Sequence, residues 1–276
     1  MPERPDLDHV VPRLEAELVG LSLVGATVRK PVVLRCLADE LRGEIRGVKR
    51  RAHAVDVDLG ARHLVVLPML AGRFELCPPA QRVSADTAVI VTLSDGRQLR
   101  YRDDVQMGKI WLTEPGAPVP GLAEGGVDVL GPEFTVERLR ALLKGRREQV
   151  KVFVMDRTAL DAFGNAYADE ALFAAGLHPK RSVSRLRPEE LVALHRALVD
   201  TLSRARDTIA AQQPALHEKL RDFLNVRGRK DQPCPRCGTT IRVAGIHGHD
   251  AYFCPVCQPD VEGKGLVDWR KPKADQ

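Results

Sequence analysis

The chain has 276 residues, of which 44% are hydrophobic and 29% charged, enough apolar material for a real core and a length that suits two domains, or one with appendages. No run of about 18 apolar residues occurs, so no transmembrane helix is expected, and Glu3, Asp6 and Asp8 precede any apolar stretch, unlike a secretion signal. The 42 Lys and Arg against 37 Asp and Glu leave a net charge of +5, which permits a polyanionic partner without requiring one.

Along the chain, residues 9–19 carry apolar positions at helical spacing, with Pro12 placed in the first turn. From about 23 to 112 the pattern changes to short alternating or apolar runs at 23–28, 31–37, 44–48, 54–59, 63–68, 88–93 and 98–101. Turn signals such as Ser94-Asp95-Gly96 divide them, and many short strands with frequent turns predict a sandwich or barrel. Residues 113–126 are rich in Pro and Gly and form the best linker candidate. Beyond it the period is helical. Helices are expected over 135–145, over 165–175 with Asn165 as N-cap and Gly176 as the stop, and over 188–209 with Pro188 in the first turn. Residues 150–156 are a short apolar run, and 214–224 read as another helix. Basic residues gather at Lys49–Arg51, Lys144–Arg147, Arg204–Arg206 and Arg227–Lys230.

Cys234, Cys237, Cys254 and Cys257 are spaced C-x2-C-x16-C-x2-C. Two such knuckles supply four soft thiolates for a closed tetrahedral site, so one structural Zn2+ is expected. Thr239–Val243 and Ala251–Phe253 read as the arms of a hairpin with residues 245–249 at its tip. Cys36 and Cys77 stand alone and read as a core residue and a residue near a strand end. With no secretion signal, a reduced compartment is the expected setting.

Several segments resemble the formamidopyrimidine-DNA glycosylase and endonuclease VIII family of base-excision repair enzymes. The start Pro2-Glu3-Arg4-Pro5-Asp6-Leu7-Asp8 resembles the family's PELPEVE, and Leu130-Gly131-Pro132-Glu133 its LGPE. Residues 163–170 (FGNAYADE) resemble its GIGNIYADE, Gly176-Leu177-His178-Pro179 its GIHP, and residues 253–258 (FCPVCQ) its closing YCPxCQ. The resemblance spans nearly the whole chain. It implies an α+β fold divided into an N-terminal catalytic β-sandwich domain (1–118), a helix–two-turn–helix domain (127–226), a zinc-ribbon finger (227–262) and a polar tail (263–276); the tail's own composition offers Trp269 as a tether.

The resemblance also implies residue roles. Removal of Met1 exposes the secondary amine of Pro2, which attacks the sugar C1′ and forms a Schiff base, while Glu3 transfers protons. A terminal amine titrates near about 8, so a useful fraction is neutral at pH 7. Asn165 and Lys151 align with phosphate-holding residues, and Arg73, in a GRF that resembles the end of a family strand, is counted with them as a DNA-binding residue. Leu70 (or Met69), Gln106 and Met107 align with residues that fill the void left by an everted base. Two phosphate contacts depart from the pattern: His53 stands where the family has lysine, and His249 where it has arginine, so weaker binding, or binding favoured at lower pH, is expected.

The segment between the last helix and the ribbon is too short to form the loop that covers everted 8-oxoguanine in the guanine-lesion branch. The expectation is therefore a DNA glycosylase with abasic-site lyase activity, acting on damaged double-stranded DNA as a cytoplasmic monomer, and not mainly on 8-oxoguanine. The alternatives are a non-catalytic binder of damaged or abasic DNA with the same fold, and an unrelated zinc-ribbon protein.

Overall fold

The computed structural model describes residues 3–161 and 163–261; Pro2, Ala162 and the tail containing Trp269 lie outside them. Two compact units emerge, Met1–Glu124 with Ala205–Leu220, and Gly125–Arg204 with Arg221–Gln276.

The first unit opens with helix α1 (Arg4–Leu18), which starts earlier than the predicted 9–19. The Glu3 amide donates to the Asp6 carboxylate at 2.8 Å, and Arg4 grips Asp8 across one turn. Pro5 presets the first turn. Pro12 is therefore interior, where it leaves the Asp8 carbonyl without its helical donor. The helix survives because Leu7, Val11, Leu14 and Leu18 bury one face in the core, each worth roughly 1.5–3 kcal/mol.

Nine strands follow: β1 (Ser22–Val28), β2 (Gly43–Glu44), β3 (Gly47–Arg51), β4 (Ala54–Asp58), β5 (His63–Leu67), β6 (Arg73–Cys77), β7 (Thr87–Leu93), β8 (Gln98–Arg102) and β9 (Lys109–Thr113). They form two antiparallel sheets, ordered β2-β1-β7-β8-β6 and β3-β4-β5-β9. The strand period of two sorts the side chains. Val55, Val57, Leu64 and Val66 join the main core with Val89, Val91 and Leu99, while Ala54, Val65 and Leu67 form a second cluster with Val119. The predicted run 44–48 is broken because the chain changes sheet there. Ile45 donates to Leu21 and Arg46 to Asp58, so β2 pairs with β1 and β3 with β4. The predicted strand 31–37 is instead a 3-10 turn, Pro31–Val33, followed by a single bridge from Leu34 to Ile110. Pro31 has no amide to give a ladder. β6 and β9 were not among the predicted runs.

The second unit holds α2 (Val136–Leu143), α3 (Val150–Val154) and α4 (Asn165–Ala175), and it contributes most of α5 (Pro188–Gln212). Thr135 caps α2 through its hydroxyl. α4 matches the predicted span, but its N-cap is Gly164 and Asn165 is its first helical residue. Gly176 ends it in the left-handed conformation, φ +69°. β10 (Arg242–Ile246) and β11 (His249–Phe253) pair as a hairpin whose tip shrinks to His247 and Gly248, with φ +46° and +80°, the signature of a tight two-residue turn. Residues 214–224 form turns and no helix. Gln213 adopts a positive φ, Pro214 lacks an amide, and the Glu218 carboxylate takes the Ala215 amide at 2.9 Å.

Gly72 closes the loop after β5. Its amide donates to the Pro68 carbonyl at 2.7 Å, and a Cβ on it would lie 2.1 Å from that same oxygen. Gly72→Ala should therefore cost about 2–4 kcal/mol of stability. Urea unfolding of the variant checks this, and a midpoint equal to the parent's would refute the constraint.

Candidate nucleic-acid interface and metal centre

The four cysteines converge. All four Sγ atoms lie within 4.8 Å of one another, with Cys234 and Cys257 at 3.9 Å and Cys237 and Cys254 at 3.5 Å. Tetrahedral zinc with bonds of about 2.3 Å needs sulfur separations of about 3.8 Å, so the cage fits the ion. Backbone amides already face the sulfurs: Arg236 donates to Cys234 and Cys257 to Cys254. Gln258 ties the second knuckle down, accepting from the Cys254 amide at 3.0 Å and donating to the Leu177 carbonyl just beyond α4 at 2.8 Å. The centre is a structural zinc site, as the spacing predicts.

Beside it, α4 carries two buried carboxylates to which the sequence reading gave no role. Glu170 accepts from the amides of Asn225, Val226 and Arg227 at 2.8–2.9 Å and from the Asn225 side chain at 3.0 Å. Asp169 accepts from Lys151 at 2.5 Å and from Arg227 at 2.9 Å. Both cations also donate to the Asp250 carbonyl on β11, at 2.6 and 3.1 Å. Burial pushes the Asp169 carboxyl up to about 6, and the two cations pull the other way. The signal for these residues was present, since acidic side chains in the middle of the otherwise apolar NAYADEALFAA must be partnered if buried.

This network decides where several candidate residues stand. Lys151 is fully buried. It nonetheless lines a cavity of about 280 Å³ with His247 and His249, so the structure brings Lys151 and His249 together. Asn165 stands at the start of α4, where free helix amides favour an anion, and its Oδ1 is buried with no hydrogen-bond partner.

In the first unit, Glu3 is buried at the head of α1 and Pro2 lies outside the described residues. Arg73 opens β6, lines a small cavity with Asp6 and Leu7, and leaves its Nε buried and unpartnered. His53, in the β3–β4 turn, is only 1% exposed. Leu70, Gln106 and Met107 are all exposed. Asp103, which sequence reasoning passed over, fixes the loop that presents two of them. Its carboxylate accepts the amides of Gln106 at 2.9 Å and Gly108 at 2.7 Å, and Gln106 adopts φ +59°. The Lys219 ammonium donates to the Leu70 carbonyl at 2.8 Å.

Residues 1–110 match the formamidopyrimidine-DNA glycosylase N-terminal domain, 126–214 the formamidopyrimidine-DNA glycosylase H2TH domain, and 231–259 a zinc finger found in FPG and IleRS. Formamidopyrimidine-DNA glycosylase of Pelotomaculum thermopropionicum is 34% identical over 94% of this chain and 99% of its own length. That of Symbiobacterium thermophilum is 33% identical over 96% and 92%. The chain belongs to the formamidopyrimidine-DNA glycosylase family. Its fold is also that of Lactococcus lactis Fpg solved in complex with DNA containing an abasic site, with a TM-score of 0.83, 24% identity, and coverage of 94% of this chain and 100% of the other. The expected α+β architecture, with strands first, helices next and a cysteine-held hairpin last, is thereby borne out.

Asp169→Asn should strand the buried charge of Lys151 and cost about 3–5 kcal/mol; thermal melting of the zinc-loaded protein reads this directly, and an unshifted melt would show the network to be dispensable. Cys237→Ser should lose zinc, measured by metal analysis, and with it the order of the hairpin. Unchanged affinity for DNA after verified metal loss would show that the hairpin takes no part in DNA binding.

Proposed function

We propose that this family member removes damaged bases from double-stranded DNA and then cleaves the abasic site, with the Pro2 amine as nucleophile and Glu3 as the proton-transfer group. The supporting observation is Glu3, the residue bonded to Pro2, which is buried at the head of α1 in the same unit as the exposed Leu70, Gln106 and Met107. As the freed amine bonds to C1′, the C1′–base bond breaks and the base departs with a proton; a second proton, delivered to O4′, breaks the C1′–O4′ bond and opens the sugar ring, leaving an iminium at C1′. The resulting iminium acidifies C2′, and loss of that proton expels the 3′ phosphate, nicking the strand. A carboxyl group beside the amine is suited to carry these protons.

On this reading Asn165, the first amides of α4 and His249 hold phosphate. Lys151, already matched by Asp169, seats the hairpin on the helices. Leu70, Gln106 and Met107 enter the space vacated by the base, and Arg73 is kept among the DNA contacts. The expectation of a main substrate other than 8-oxoguanine rests on a helix over 214–224, and the turns found there remove that ground, so the substrate is kept here as a damaged base in DNA. We place the enzyme in the cytoplasm as a monomer.

A second reading, binding of damaged or abasic DNA without catalysis, draws on the burial of His53, since a phosphate contact there needs an accessible group. Borohydride trapping on oligonucleotides that each carry one lesion separates the two. The wild type should form a covalent adduct through its N-terminal peptide, and Glu3→Gln should release base about 100-fold more slowly. Tight binding with no adduct and no base release on any lesion would leave only the second reading.

A further inference from the structure

The second unit carries another concavity that base removal leaves without a task. α2, the loop 144–149, the 3-10 turn Val183–Arg185 and the first turn of α5 enclose about 720 Å³, within the range of pockets that bind ligands. Its floor is apolar, made by Leu143, Val183, Leu186 and Leu191. On its rim Arg140, Lys144 and Arg147 are exposed, and among the described residues none of the three pairs with a carboxylate. Arg146 also lines it, but its charge is taken by Glu148 at 2.9 Å and Asp156 at 2.7 Å. Glu137 is the one acidic side chain in the lining.

The walls are fixed by the fold itself. Val150 donates to the Arg181 carbonyl at 2.7 Å, Val183 to Glu148 at 2.9 Å, and the Ser182 hydroxyl to Arg147 at 3.0 Å. Gly145 turns the chain between them with φ +80°. A site so preorganised loses little entropy when it is filled.

The occupant must satisfy floor and rim together. A nucleic-acid backbone matches the three cations but has nothing for an apolar floor, whereas an uncharged hydrophobic ligand leaves the rim unanswered. We propose that this groove docks a short acidic segment of a partner protein whose hydrophobic side chains recur at helical spacing. Such a segment lays its apolar stripe on Leu143, Leu186 and Leu191 and its carboxylates against Arg140, Lys144 and Arg147. No residue given a role in base removal lines the groove, so the two readings stand or fall separately.

The probe is a fluorescein-labelled peptide of about 14 residues made of Glu and Leu, with Leu at i, i+3, i+4 and i+7, titrated with the zinc-loaded full chain and followed by anisotropy. Saturable binding tighter than about 100 µM is expected. The variant R140E/K144E/R147E and, independently, Leu186→Asp should each weaken it by at least about tenfold, with zinc content unchanged in both and DNA affinity unchanged in Leu186→Asp. Four results would overturn the proposal: no binding, equal binding of a scrambled peptide of the same composition, undiminished binding by both variants, or displacement of the peptide by duplex DNA. If the peptide binds only after residues 262–276 are deleted, the groove belongs to the chain's own tail and the proposal also fails.

Discussion

Two adjacent carboxylates on α4 organise the second unit. An ionised carboxylate inside a protein is stable only when nearly every lone pair is matched, and here the matching partners come from different parts of the chain. Asp169 draws Lys151 from α3 and Arg227 from the approach to the ribbon, while Glu170 collects three consecutive amides from 225–227. Because Lys151 and Arg227 also donate to the Asp250 carbonyl, the same network fixes the hairpin. Helices, ribbon approach and hairpin are thus held by one set of charge-assisted hydrogen bonds, each stronger than a neutral one.

Zinc reinforces this arrangement one turn further along the same helix. The knuckles are too small to bury a core of their own; Cys234, Cys254, Ile241 and Val226 share one with Phe173 of α4. Gln258 then links the second knuckle to the end of α4. Metal and carboxylates act on the same helix, with Asp169 and Phe173 one turn apart, and this is how a hairpin of two five-residue strands holds a defined position. A two-stranded ribbon alone is marginal in water.

The first unit solves a different problem. Its strands bury α1 and one face of each sheet in a common core, and the exposed Leu70, Gln106 and Met107 are left on loops. Asp103 shows how such a loop is kept rigid, with one buried carboxylate taking two amides of the turn that displays Gln106 and Met107. A loop held this way presents side chains to a ligand at little cost in conformational freedom.

Much of this was legible in the chain. The cysteine spacing specified the metal centre, because two short knuckles leave the sulfurs few other arrangements. Helical periodicity and the Gly176 stop specified α4, whose span matches the expectation. Local pattern failed where long-range partners decided the outcome. The run 44–48 breaks because its two halves belong to different sheets, and 214–224 stays non-helical because Pro214 and the Glu218 cap favour a turn. The burial of Lys151 and His53 was likewise invisible, since nothing near them in the sequence states that a carboxylate 18 residues away in one case, and the sheet in the other, will enclose them. By itself the sequence determined which residues could bear the chemistry and which metal the ribbon takes, because those depend on residue type and short spacing. Only the tertiary structure decided which charges stay available to a ligand and which are spent inside the protein, because that depends on partners brought together from distant parts of the chain.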